Sequence, residues 1–99
     1  MEPQNRVELT GQVSAQDVLR YTPAGIPIAE IRLTHESSQV EAGKTRTVAC
    51  EVAAVAAGQL AQRLVQAELG TRIKVAGFLA HRGKSKVALV LHINEFEFI

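Results

Sequence analysis

With 99 residues the chain has room for one domain, 1–99, whose core suffices without staples but with little margin. A formal charge of +1 excludes a generally basic coat, so any anion binding must come from local clustering. One cysteine, Cys50, excludes an internal disulfide and leaves a zinc site without thiolate partners.

Cys50 is expected as a small buried apolar residue in a reducing cytoplasm. Met1 to Asn5 lacks the regions of a signal peptide, and no apolar run reaches membrane-spanning length, so the expectation is a cytoplasmic protein.

Asn5 to Val13 alternates, with Val7, Leu9, Gly11 and Val13 on one face. That is a half-buried strand, and Gly11 marks a bulge or bend. Ser14 to Tyr21 breaks the pattern and reads as a loop or irregular edge. Thr22-Pro23-Ala24-Gly25-Ile26-Pro27 is a turn, because two prolines around a glycine forbid a helix. Ile28 to His35 is the second strand, with Ala29, Ile31, Leu33 and His35 on one face. Glu36 to Gly43 is polar and reads as a mobile loop.

Lys44 to Val52 alternates again as the third strand. Ala53 to Leu69 is rich in Ala, Gln and Leu, and Gly58 delays the regular helix to about residue 58 or 59. Gly70 is placed to end that helix. Two strands follow, Arg72 to Leu79 and Val87 to Ile93, on either side of His81-Arg82-Gly83-Lys84-Ser85-Lys86. From Leu69 to Asn94 no acidic residue occurs. Such a cationic tip suits a polyanion, although lysines also keep hairpin tips soluble and guard them against edge pairing.

Chemistry for catalysis is sparse. Asp17 is the only aspartate, and His35, His81 and His92 lie in separate segments without ligand spacing. Gly77 and Gly83 form no phosphate cradle ahead of a helix. The expectation is a non-enzyme with no metal and no cofactor. Five strands with one short helix between strands 3 and 4 is the order of an all-β OB-fold barrel, though an α+β sandwich shares it. In an OB-fold the loop between strands four and five borders the nucleic-acid face, which is where the basic segment falls.

Asn5-Arg6-Val7-Glu8-Leu9-Thr10-Gly11, Pro23-Ala24-Gly25-Ile26-Pro27, Gly77-Phe78 and Leu91-His92 together make the chain similar to a known family. It resembles the bacterial primosomal replication protein N (PriB) family, small relatives of the single-stranded DNA-binding proteins, along essentially its whole length. The resemblance implies a homodimeric OB-fold that binds single-stranded DNA and joins the primosomal helicase PriA to the loading factor DnaT during replication restart. It also implies an accessory binding protein, not an enzyme.

Site residues carry over in part. The family's strand-three tryptophan aligns with Ala49, a nearby phenylalanine with Lys44, and a loop arginine with Glu36. Arg46 matches a basic residue, and Arg20 stands where the family has lysine. Arg82, Lys84 and Lys86 match the family's basic loop as a group. With the stacking platform missing, binding is expected to be weaker and carried mostly by phosphate contacts. The candidate DNA-binding residues are Arg20, Lys44, Arg46, Arg72, Lys74, Arg82, Lys84 and Lys86, Arg72 and Lys74 sharing one strand face. Tyr21 offers a ring for stacking on a base, but a tyrosine beside the Thr22-Pro23 turn more often packs against the barrel, which is the expectation. An RNA-binding OB module and a protein-only adaptor are the alternatives.

Overall fold

Alternation in the first strand decides which face of the sheet becomes the interior. The computed structural model describes residues 2–99 and shows six strands and one helix. These are β1 (Val7–Gln16), β2 (Arg20–Tyr21), β3 (Pro27–Glu41), β4 (Lys44–Ala57), α1 (Gln59–Leu64), β5 (Arg72–Arg82) and β6 (Ser85–Phe98). The sheet order is β1-β5-β6-β4-β3-β2, and β1 also pairs with β3, which closes the five long strands into a barrel. All pairs are antiparallel except β4–β6, whose parallel seam joins Ala54 to Leu91 and Val55 to His92.

Closure depends on β1 serving two partners. Val7 to Gln12 pairs with β5, and Gln12 to Gln16 pairs with β3. A register shift between Val13 and Ala15 leaves Ser14 bulged, and the extra residue bends the strand around the barrel. The expected irregularity at Gly11 therefore lies three residues later. Gly11 serves close approach instead: a Cβ there would stand 2.9 Å from the Thr34 carbonyl oxygen.

Inside the barrel lie Val13, Ala29, Ile31, Leu33, Ile73, Val75, Leu91 and Ile93. α1 closes one end by burying Ala61 and Leu64, and Ala67 follows them into the core. Gln16 Nε2 donates to the Val65 and Ala67 carbonyls at 2.8 and 3.0 Å, tying the end of β1 to the segment after the helix.

Several expectations change. The helix stands between β4 and β5, because the two-residue β2 adds a strand to the count. β2 arises within the segment read as an irregular edge, through pairing of Arg20 with Ile28 and Tyr21 with Pro27. Regular helix is confined to Gln59–Leu64, while residues 53–57 continue β4. Glu36 to Glu41 is strand rather than mobile loop: β3 and β4 stay paired from Ile28↔Ala57 out to Glu41↔Lys44. Ala42 and Gly43 make the turn with φ 52 and 77, both left-handed, as a tight two-residue hairpin requires. Cys50 is exposed, since it lies on the stretch of β4 that runs beyond the barrel with little packed on either face. Tyr21 is 61% exposed and does not pack into the core.

Candidate nucleic-acid interface

β5 and β6 form a second projecting hairpin, and its sequence explains its shape. Arg82 pairs with Ser85 across the Gly83-Lys84 turn, while His81 pairs with Leu89. Lys86, Val87 and Ala88 therefore bulge from the ladder, and Ala88 N–H donates to Ser85 Oγ at 3.3 Å within that bulge. Gly83 takes φ 57 at the first turn position, a conformation glycine adopts without Cβ strain. Lys84 and Lys86 are thus displayed in solvent, and among the described residues neither forms an ion pair.

At the base of this arm a cleft of about 750 Å³ opens between β2, the barrel wall and the β5–β6 hairpin. Arg20, Tyr21, Phe78, Arg82 and His92 are among its lining residues. Glu30 sits within it, its side chain only 17% exposed. Arg82 grips this carboxylate with both terminal nitrogens, at 2.8 and 3.3 Å, and Arg20 approaches it at 3.6 Å. The side-chain hydrogen bond to Glu30, followed by its Coulombic attraction, holds the Arg82 guanidinium above its ordinary pKa. One carboxylate thereby ties β2 to the hairpin arm and holds two cations at one side of the cleft.

Also lining the cleft, Phe78 and His92 are direct ladder partners whose rings stack, with centroids 5.0 Å apart and planes 5° from parallel. Gly77 makes this pairing possible. The ladder shifts between Ala76 and Gly77, leaving Asn94 unpaired, and a Cβ on Gly77 would overlap the His92 carbonyl oxygen. Phe96 faces elsewhere: it is buried, meets Phe98 edge-on at 5.4 Å and carries the Arg63 guanidinium 4.6 Å from its ring centre.

The other sequence-predicted cations are placed differently. Lys44 and Arg46 lie near the tip of the β3–β4 hairpin, where Arg46 binds Glu41 at 2.7 Å. Ala49 is exposed on the same hairpin, so the position expected to carry a tryptophan presents a methyl group. Arg72 and Lys74 share the outward face of β5. Arg72 lines a cleft with Thr34, His35 and Gln39, whereas Lys74 lies among Glu8, Glu95 and Glu97. The structure thus brings Arg20 and Arg82 together and extends them towards Lys84 and Lys86. Lys44, Arg46, Arg72 and Lys74 line other surfaces.

His35 has a structural part. Its Nδ1–H donates to the Thr10 carbonyl at 2.7 Å, and the Ser37 hydroxyl donates to Nε2 at 2.8 Å. Glu30, Phe78 and His92 were not among the candidate residues read from sequence. Their signal is in strand parity, which puts Glu30 on the outward face of its strand, but only the closed barrel brings that face to Arg82.

This geometry has counterparts. The model of a family described as another single-strand binding protein family matches residues 5–95. Replication restart protein PriB of Bordetella pertussis is 44% identical over 91 residues, 92% of this chain and 85% of that protein. PriB of Nitrosomonas europaea is 35% identical over 95 residues, 96% of this chain and 88% of that protein. Among solved structures, PriB of Ralstonia solanacearum superposes with a TM-score of 0.87 at 34% identity, covering 97% of this chain and 98% of that one. The single-stranded DNA-binding protein of Thermus aquaticus gives 0.78 at 25% identity, covering 97% of this chain and half of that one. Family match, sequence identity over most of the chain and superposition agree: the chain belongs to the PriB family of replication restart proteins, on a single-stranded DNA-binding protein fold.

Proposed function

We propose that this protein is a single-stranded DNA-binding accessory factor of the replication-restart primosome, acting without catalysis of its own in the cytoplasm. In this reading it works as a homodimer that bridges and stimulates the helicase PriA and hands on to the loading factor DnaT. The observation that supports the DNA-binding part is the Arg20–Glu30–Arg82 cleft at the base of the hairpin whose turn carries Lys84 and Lys86. OB-folds take single strands on the surface bordered by the corresponding loops. Family membership supports the primosomal part.

Phosphate contacts dominate the binding, because the β3–β4 hairpin lacks an aromatic platform at Ala49. Lys44, Arg46, Arg72 and Lys74, on other surfaces of the barrel and the β3–β4 hairpin, are secondary contacts for a strand that runs beyond the cleft. A salt titration with oligonucleotides of several lengths tests this. Affinity falls steeply with salt, and replacing Lys84 and Lys86 by alanine lowers the log–log slope by about 0.7 for each phosphate no longer neutralised. An unchanged slope removes the tip from the site. Absence of binding at low salt ends the DNA-binding reading, and preference for a matched RNA would reassign the ligand.

A further inference from the structure

The cleft contains more than cations. Phe78 is 37% exposed, His92 is half-buried, and their stacked, near-parallel pair lies in the wall of a space of about 750 Å³. Tyr21 enters the same space from β2 with most of its ring exposed. A parallel pair of rings lining an open cleft gains dispersion and apolar contact from a third flat ring laid on it. A nucleobase has that shape, and stacking on aromatic side chains does not depend on which base is offered. The charges fit as well. Arg20 and Arg82 are held by Glu30 in the same cleft as the ring pair, available to the phosphates flanking a seated base.

We propose that this cleft seats one base of the bound strand, stacked on the Phe78–His92 pair and covered by Tyr21. The seat rests on the single-stranded DNA reading and gives it a second component. It is built from β2, β5 and β6, away from the β3–β4 hairpin, and so supplies stacking that Ala49 does not. Gly77 is its structural condition, since only glycine allows the ladder shift that aligns the two rings.

The test compares oligothymidylate with an abasic strand of equal length and phosphate count, by fluorescence anisotropy over a range of salt. The base-bearing strand should bind at least about fivefold more tightly, the lower end of stacking on one platform. Tyr21→Ala and Phe78→Leu should shrink that ratio towards one while leaving the salt slope unchanged. Tyr21 is exposed, so its replacement does not threaten folding, and thermal unfolding checks the Phe78 variant. A 2-aminopurine-containing strand should be quenched on binding, and less so by Tyr21→Ala. Equal binding of abasic and base-bearing strands overturns the seat but leaves phosphate-driven binding standing. Ratios unchanged in both variants overturn it too. If neither strand binds at low salt, the seat and the DNA-binding reading fail together.

Discussion

Glu30 occupies the position where a DNA-binding surface would be expected to be purely cationic. Its carboxylate holds Arg82 by two bonds and draws Arg20 to 3.6 Å. A phosphate taking the Arg82 guanidinium fork must replace that carboxylate there, because bidentate acceptors compete for one geometry. The phosphate gives up its counterions while the freed Glu30 carboxylate takes up cation, so the net release is small. Glu30→Gln removes the competitor and keeps the side-chain volume. We expect affinity for single strands to rise several-fold at low salt and the salt slope to steepen by about 0.7 for each arginine freed. Titrations at four or more salt concentrations measure both. A loss of affinity would instead show that Glu30 mainly holds Arg20 and Arg82 in place, with positioning outweighing competition.

At the scale of elements, bulges and hairpins shape the binding surface more than the helix does. Gly77 lets Ala76 and Gly77 pair with Glu95 and Ile93 while Asn94 is passed over. Gly77→Ala drives a methyl group into the His92 carbonyl, so we expect a loss of about 1–3 kcal/mol, as overpacking typically costs. Chemical denaturation measures it, and an unchanged midpoint would mean that β6 shifts register at no cost. Strands with one buried face were legible in sequence: Val7 to Val13 and Ile28 to His35 alternate because one side meets the core. Glu36 to Glu41 was not legible, because a hairpin exposed on both sides has no alternation to read. β2 was hidden by its length of two residues. The lysine tip was legible as a charge cluster, since charge needs no partner to be seen. Glu30 with Arg82 and Phe78 with His92 depend on strand register and barrel closure, which no local pattern encodes.

As a whole the molecule is elongated, with extents of 49 × 35 × 24 Å and a radius of gyration of 14.5 Å. A compact domain of this length has about 13 Å, and the two projecting hairpins account for the difference. The β5–β6 arm does not carry charge alone. Val87 is 90% and Leu89 54% exposed, and Leu89 with Leu79 and Val7 lines a trough beside Asn5 and Arg6. Beyond the arm, Glu95 to Phe98 of β6 pairs with β5. For the proposed homodimer, we expect the exposed Val87 and Leu89 of one arm to cover the Val7–Leu79 trough of a second copy across a twofold axis. Such a dimer places two basic tips and two clefts on one particle, lengthening the strand it contacts. Light scattering at two concentrations should therefore give twice the monomer mass, and Leu89→Lys should give the monomer at the same concentrations. The lysine adds positive charge to the arm, so simple electrostatics would raise DNA affinity. If the dimer matters for binding, Leu89→Lys should lower it and shorten the occluded length by about half. A wild-type monomer at both concentrations, or a Leu89→Lys dimer, would remove this surface from self-association and leave the trough free for another partner.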